Sequence, residues 1–546
     1  MTLNNLDVIV VGAGFSGILA VYRLRKLGFR VQGFERQERL GGVWRENAYP
    51  GAAVDSLFPF YQFYDAELLQ DWEWVEQFPT RAEMLRYFDH VDKRWEISAS
   101  FEFGVSVSAA RYSETTQRWT VSLEDGRRAE ARWFIPAVGF SSVLNLPRIP
   151  GMSRFRGPIY HTAKWPHDAV SMRGKRVAVI GTGPSGVQII QSVGKIAKAM
   201  TIFQQSPCLT LRKYGSPSQT ATATATATAL CMRPDDHREA LRLGLQTSNG
   251  FGYVMRDQDT LDVPIEERNH FYQQRYLAGG WAFWMAGFRD LCQNIQANRD
   301  AYDFWARRTR ARISDVTKRE LLVPQIPSFA FGIKRPCLEE DLYEVMDQPH
   351  VKVIDISNQQ IELITETGIR VHGQTVECEA IILATGFGNE ASGLRSLHIR
   401  GRNGIRLEDA WSDGVESHLG MAIHSFPNMF FLYGPQCPTL LVNSPAVITV
   451  QVEWLCEIIS RCQQAGICQL EATSKSHCQW EKKMSLLWDK TLYHTHARKS
   501  KTTAEANKEE KTWVGGLILY RRELENCLAN NLEGFQAWHV EEAALL

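Results

Sequence analysis

A short buried strand that leads into a glycine-rich turn and then a helix occurs twice in this chain, and this repeat constrains the fold more than any other feature. Residues 7–11 form an apolar, β-branched run that leads into GAGFSG at 12–17. Residues 175–180 lead in the same way into GTGPSG at 181–186. Unbroken apolar runs of this length are typical of parallel strands buried on both faces. We therefore predict an α/β protein with two Rossmann-like dinucleotide-binding domains.

In the first unit each glycine has its own role. Gly12 allows the tight turn, Gly14 lets the backbone approach a pyrophosphate, and Gly17 lets the helix pack closely on the strand. The helix N-terminus then faces the negative charge. Glu35 ends the next strand, where a carboxylate accepts hydrogen bonds from a ribose. The residues predicted to contact the first dinucleotide within this unit are Gly12, Gly14, Phe15, Ser16, Gly17 and Glu35.

The second unit differs at the end of its second strand, which carries Gln204 and Gln205 in place of an acid. A carboxylate there would favour NAD and repel the 2′-phosphate of NADP. Its absence, with Arg212 and Lys213 nearby, favours NADPH, although both cations also fit solvated loop positions. Two sites indicate a flavin and a nicotinamide dinucleotide; the alternative is a duplicated domain with one inactive site. The predicted contacts of this unit are Gly181, Thr182, Gly183, Pro184, Ser185, Gly186, Gln204 and Gln205.

Composition excludes several classes of partner. Lys plus Arg and Asp plus Glu both number 61, so no net charge draws the chain to nucleic acid. No apolar run reaches the roughly 18 residues of a membrane span.

The 11 cysteines contain no CxxC, which fits free thiols in a reducing compartment, and we expect a cytoplasmic protein. His494 and His496 have no third partner at metal-ligand spacing, so no metal site is predicted. The sequence indicates no oligomeric state.

Two further strand-like runs indicate how the domains are connected. Residues 133–140 and 379–387 each end in a turn of small residues, and they lie on either side of the second glycine unit in the sequence. We predict that the second domain is inserted in the first and carries a helical subdomain. The predicted parts are a first dinucleotide domain at 1–145, the second at 146–230, helices at 231–320, the rest of the second at 321–378 and the rest of the first at 379–546.

Several motifs resemble those of one known family. FRGPIYHTAKWP at 155–166 is similar to the FxGxxxHxxxW(P/D) fingerprint of Baeyer–Villiger monooxygenases and lies just ahead of the second glycine turn, as in that family. GGVW at 41–44, YPGA at 49–52, GIKRP at 332–336 and FPNMF at 426–430 also resemble family segments, in the same order. The likeness covers nearly the whole chain. It implies that the flavin is FAD and that its further contacts are Val43, Trp44, Tyr49, Asp55, Tyr61 and Val107.

The resemblance also implies an activity. Such an enzyme uses NADPH, FAD and O2 to insert one oxygen atom next to the carbonyl of a small-molecule ketone, giving an ester or lactone, and a role in secondary metabolism is expected. The reaction needs a fixed cation beside a developing oxyanion, and arginine meets that need. By the family match this residue is Arg335, with Asp55 as its ion-pair partner at the flavin. His161 and Trp165 of the fingerprint are interpreted as a hinge between the nucleotide domains.

The chain departs from the family pattern at three places. Gln205 stands where an arginine usually binds the 2′-phosphate, although Lys334 is retained as a contact. TWVGG at 512–516 resembles a segment whose tryptophan, here Trp513, contacts the nicotinamide cofactor, but the usual continuation is missing. Residues 220–229 alternate Thr and Ala, which predicts a low-complexity loop.

Other activities remain open at this stage. One is an N- or S-oxygenating flavin monooxygenase, and another is a catalytically impaired relative that only binds dinucleotides. A flavin disulfide reductase is excluded because residues 18–55 contain no cysteine. Arg335 and Asp55 favour the Baeyer–Villiger reaction, since oxygenation of a soft nucleophile needs no such pair.

Overall fold

The computed structural model describes residues 2–168, 170–214, 234–499 and 511–539, so the predicted Thr-Ala loop at 220–229 lies outside the described residues. The strands are β1 (Thr2–Val11), β2 (Val31–Glu35), β3 (Phe101–Phe103), β4 (Val107–Ser113), β5 (Arg118–Leu123), β6 (Arg128–Pro136), β7 (Ile159–His161), β8 (Arg176–Ile180), β9 (Ala199–Gln204), β10 (Thr210–Arg212), β11 (Cys337–Glu339), β12 (Val351–Asp355), β13 (Leu363–Ile364), β14 (Gly368–Val371), β15 (Gln374–Glu377), β16 (Ala380–Leu383), β17 (Ile399–Arg400), β18 (Ile467–Ala472) and β19 (Phe535–His539).

Helices pack on both nucleotide units, and five of the described helices lie between β10 and β11 in the sequence. They are α1 (Phe15–Lys26), α2 (Val43–Glu46), α3 (Arg81–Trp95), α4 (Pro184–Val193), α5 (Pro234–Gly244), α6 (Ile265–Ala278), α7 (Ala282–Met285), α8 (Ile295–Arg310), α9 (Val316–Leu322), α10 (Leu342–Asp347), α11 (Ser392–Arg395), α12 (Leu407–Ala410), α13 (Ser444–Gln464), α14 (Ser474–Trp488), α15 (Leu492–Lys499) and α16 (Gly516–Ala529). Within the described ranges, none of these helices combines the length and hydropathy that a bilayer crossing requires.

The first glycine unit belongs to a sheet whose order, among the described strands, is β17-β4-β5-β6-β1-β2-β3. Strands β6, β1, β2 and β3 run parallel, and β4 and β5 join them as an antiparallel extension. Helix α1 packs against α13, so a segment more than 400 residues further along the chain covers the helix that starts at the first glycine turn. Parallel strands with helices on their faces are the arrangement that Rossmann-like units require.

The second glycine unit belongs to a parallel sheet with the order β12-β9-β8-β16-β7 in the described chain. All of its strands lie between β6 and β17 of the first sheet in sequence, which confirms the predicted insertion and the α/β fold with two Rossmann-like units. One detail differs from prediction. Strand β16 pairs with β8 and β7, so it completes the second sheet, whereas residues from 379 onward are predicted to return to the first domain.

The segment from α5 to α9 is helical, as predicted, and its aromatic rings pack into one core with the second unit. Phe283, Tyr302 and Trp305 are buried in this core together with strand residues of the second sheet. Rings that stack or meet edge to face bury large areas and dominate such cores. The helical part is therefore joined to the second nucleotide unit by extensive apolar packing.

Candidate active site

Hydrogen bonds join the first glycine turn to the end of β2. The Glu35 carboxylate accepts from the backbone N–H of Ala13 at 2.6 Å and of Gln37 at 2.8 Å. Burial raises the pKa of Glu35 above its usual value, and the two backbone donors oppose that shift. A Cβ on Gly17 would lie 1.8 Å from the carbonyl oxygen of Gly12, so only glycine lets α1 approach the strand this closely. The end of β2 therefore places a carboxylate beside the turn, as a ribose site requires.

Several of the other predicted flavin contacts surround this turn. The indole N–H of Trp44 donates to the Tyr61 hydroxyl at 3.2 Å, and the Tyr61 ring meets Phe15 edge to face at 5.2 Å. Val107 begins β4 two residues after Val105, whose backbone N–H donates to the Glu35 carbonyl at 2.9 Å. These side chains come together from α1, α2 and a loop, so the turn has aromatic walls of the kind that an isoalloxazine or adenine ring packs against.

The second glycine turn is open. Nothing lies within 4 Å of the position that a Cβ on Gly183 would take, and Pro184 beside it is exposed. The Thr182 hydroxyl donates to the Ser206 carbonyl at 3.0 Å, which ties the turn to the segment after β9. A Cβ on Gly186 would lie 2.4 Å from the carbonyl oxygen of Gly181. The space over the start of α4 therefore fits a pyrophosphate held by backbone N–H groups.

The Lys334 side chain contacts the segment that follows β9 in the second unit. Its Nζ donates to Ser206 Oγ at 3.0 Å, just beyond Gln204 and the exposed Gln205 at the end of β9. Burial lowers the pKa of the Lys334 ammonium. The 2′-phosphate of NADPH binds near the end of this strand in Rossmann-like folds, so Lys334 and Ser206 suit that group. Sequence reasoning does not single out Ser206; its position directly after Gln205 is the signal that could have found it.

Arg335 and Asp55 form an ion pair between segments 280 residues apart. Arg335 Nη2 donates to Asp55 Oδ1 at 3.1 Å, and the two side chains are 29% and 35% exposed. The buried Nε of Arg335 has no hydrogen-bond partner in the described part of the chain. Its guanidinium carbon lies 4.2 Å from the ring centroid of Trp281. The side chain as a whole is half-buried, so donors other than the buried Nε are the ones that a substrate or cofactor oxygen can reach.

Tyr49 and His161 lie where the two nucleotide units meet. The Tyr49 hydroxyl donates to Gln188 on α4 at 2.7 Å, and burial raises the Tyr49 pKa to about 12. His161 is buried at the end of β7, its Nδ1 accepts from the Ala163 N–H at 3.1 Å, and burial lowers its pKa. His161 Nδ1 is therefore used as an acceptor within its own turn, and the hinge role stays a prediction.

Two predicted cofactor contacts are not supported by the structure. Trp513 has no exposed surface: it stacks on Trp480 at 4.7 Å between ring centroids, and its indole N–H donates to the Gly516 carbonyl. Gln204 is also buried, and its amide donates to the Leu321 carbonyl at 2.9 Å. Both side chains are packed against protein in this conformation, and their contacts with a nucleotide stay predictions.

Arg212, the last residue of β10, and Lys213, which follows it, are predicted to favour NADPH, but both pair with carboxylates. Lys213 Nζ lies 3.0 Å from Glu340, and Arg212 Nη2 lies 3.6 Å from Glu344. Both cations therefore form ion pairs with carboxylates that follow β11 in the sequence. Of Arg212, Lys213 and Lys334, it is Lys334 that lies at the end of β9.

Comparison with known proteins agrees with this geometry. A model of the flavin-binding monooxygenase-like family matches residues 5–218. The chain is similar to the FAD-binding monooxygenase lolF1 of Epichloe uncinata, at 97% identity over the whole of both chains. It is similar to cyclopentanone 1,2-monooxygenase of a Comamonas species, at 36% identity over 90% of this chain and 88% of that protein.

A solved structure gives the same result for the whole fold. The OTEMO complex with FAD and NADP matches with a TM-score of 0.91 and 30% identity, covering 98% of this chain and 100% of the other. That complex contains two dinucleotides, and this chain has two glycine turns of the kind that bind a dinucleotide. The chain therefore belongs to the Baeyer–Villiger monooxygenases, FAD-dependent enzymes that consume NADPH and O2 to insert one oxygen atom next to a ketone carbonyl.

Proposed function

We propose that Arg335 is the catalytic cation of this enzyme and that Asp55 holds it in place. The single observation that carries this assignment is the 3.1 Å ion pair with Asp55, which holds a guanidinium whose side chain stays 29% exposed. Bound FAD would supply the hydride-accepting and dioxygen-activating chemistry, and the protein supplies orientation and electrostatics. The residues of this chain therefore have to place a fixed positive charge beside the reacting carbonyl.

Arginine suits this role because its guanidinium keeps its proton throughout the working pH range. Asp55 takes one N–H of Arg335 and leaves the other donors for oxygen atoms of the substrate or the cofactor. A preorganised cation stabilises negative charge that develops on the carbonyl oxygen without reorienting during the reaction. Partial burial of the pair raises the strength of that interaction relative to water.

We further propose that Lys334 and Ser206 hold the 2′-phosphate of NADPH and that the glycine turns hold the two pyrophosphates. The support is the 3.0 Å contact between Lys334 Nζ and Ser206 Oγ, together with the open space over Gly183. Glu35 would hold the ribose of FAD from the first turn. On this division the first sheet belongs to the FAD domain and the second sheet to the NADPH domain.

The substrate that we propose is a ketone whose carbonyl oxygen points at the free donors of Arg335. The relatives include an enzyme named for cyclopentanone. A ketone from secondary metabolism stays a prediction. A panel of cyclic and open-chain ketones, with the ester or lactone products identified by mass, would test the substrate class.

Replacement of Arg335 by alanine tests the assignment. We expect the purified variant to keep its FAD and to form ester or lactone at a rate reduced about 100-fold or more. Arg289→Ala is the matched control, because that guanidinium pairs with Asp257 and Asp259 at the surface. Oxygen insertion at the wild-type rate by Arg335→Ala would refute the role.

A further inference from the structure

We propose that Trp281 is a positioning residue for the reaction, because it holds both the guanidinium of Arg335 and the backbone that follows it. The inference rests on the role proposed above for Arg335. Trp281 lies within the helical segment that is predicted at 231–320. The structure places it against the residue that matters most for the chemistry.

Two separate contacts join Trp281 to the Arg335 segment. The guanidinium carbon lies 4.2 Å from the indole centroid, a distance typical of a cation–π contact. The indole Nε1–H donates to the carbonyl of Pro336, the next residue, at 3.1 Å. One face of the ring therefore holds the side chain of Arg335 while its edge holds the main chain.

Trp281 itself is firmly placed. It is 1% exposed, and its backbone N–H donates to the Tyr253 hydroxyl at 3.3 Å. It follows Gly280, whose φ of +56° lies in the region that favours glycine and whose N–H donates to the Arg212 carbonyl at 2.9 Å. Phe251 packs edge to face on the indole at 5.0 Å. These contacts restrict the indole ring, so the guanidinium stacks on a fixed surface.

The ion pair alone does not fix the guanidinium. A single hydrogen bond from Nη2 to Asp55 leaves the plane of Arg335 free to rotate about that bond. Stacking on a fixed indole sets the plane, so the remaining donors of the guanidinium are held within that plane. The indole also keeps water off one face of the cation, which strengthens its effect on nearby negative charge. Trp281 therefore acts on the reaction through Arg335.

Trp305 provides a matched control for packing. It is fully buried in the same core, and its indole N–H also donates to a backbone carbonyl, that of Thr210, at 2.7 Å. Its ring packs against Tyr302 and Phe331, both aromatic neighbours. Substitution of Trp305 therefore removes comparable volume and the same type of hydrogen bond at a position away from Arg335.

The experiment compares Trp281→Phe, Trp281→Leu and Trp305→Phe as holoenzymes. We expect Trp281→Leu to lower kcat for oxygen insertion about tenfold or more, with the KM for NADPH unchanged. Trp281→Phe keeps an aromatic face and should recover part of that loss. The reduction potential of bound FAD should fall in Trp281→Leu, because the cation beside the flavin is less well held. Trp305→Phe should leave kcat and the potential at wild-type values.

A double-mutant cycle with Arg335→Lys separates positioning from packing. If Trp281 acts through Arg335, the Trp281→Leu change should cost much less in the lysine background than in the wild type, since the planar stack is already lost. Additive losses, or equal losses in Trp281→Phe and Trp305→Phe, would overturn the inference. Wild-type activity in Arg335→Lys together with Arg335→Ala would instead overturn the proposed role of Arg335, so the two failures are distinguishable.

Discussion

Replacing Lys334 with methionine should change which nicotinamide dinucleotide this enzyme accepts. The Lys334 ammonium lies 3.0 Å from Ser206 Oγ at the end of β9, and burial lowers its pKa, which means that it has lost part of its hydration. A phosphate dianion at this position would replace the lost water with a charge-assisted contact. NADH has no 2′-phosphate and gains nothing from that contact.

The size of the effect follows from the charge of the contact. A hydrogen bond to a charged group contributes about 1.5–3 kcal/mol, and about 1.4 kcal/mol corresponds to a tenfold change in affinity. Lys334→Met should therefore weaken NADPH binding by roughly 10- to 150-fold and leave NADH binding unchanged. Gln205 is neutral and exposed at the same strand end, so it offers no charge that would compensate.

Anaerobic stopped-flow reduction of the flavin measures this directly. The apparent Kd for NADPH and for NADH is obtained from the dependence of the reduction rate on each dinucleotide. Lys213→Met is the matched control, because that ammonium lies 3.0 Å from Glu340. An unchanged Kd for NADPH in Lys334→Met, or an equal loss with both dinucleotides, would refute the reasoning.

Three further predictions concern other parts of the fold. Gly186→Ala places a Cβ 2.4 Å from the Gly181 carbonyl, so flavin reduction by NADPH should slow at least about tenfold while FAD content is retained; normal reduction would contradict this. Trp513→Phe should lower Tm through the lost stack on Trp480 but leave the KM for NADPH unchanged, and a raised KM would restore a cofactor role. Burial lowers the pKa of His477 to about 3. The unfolded chain therefore takes up the proton first as pH falls, and stability should drop by about 2 kcal/mol between roughly pH 6.5 and 5. Chemical denaturation of His477→Gln, if it shows the same pH dependence as the wild type, would disprove that contribution.

The catalytic pair shows how far sequence reasoning reaches. Arg335 and Asp55 are 280 residues apart, and no local pattern joins them; the family resemblance alone predicts their pairing, and the structure brings them to 3.1 Å. Ser206 and Trp281 lie outside that resemblance. Ser206 contacts Lys334, and Trp281 contacts Arg335. Both contacts depend on how the helical segment packs against the second unit, and hydrophobic periodicity does not reveal that packing.

The sequence by itself determined the two nucleotide-binding turns and the class of fold. In each unit a strand, a glycine turn, a helix and the next strand lie within about thirty residues, so their geometry follows from local backbone conformation. The tertiary structure decided that β16 joins the second sheet, that Trp513 lies in the core and that Trp281 supports Arg335. An apolar strand can pair with either sheet, and an indole can be buried in a core or stacked on a cation. Only the packing of distant segments selects between these outcomes, because the free energy of each depends on neighbours that the local sequence does not specify.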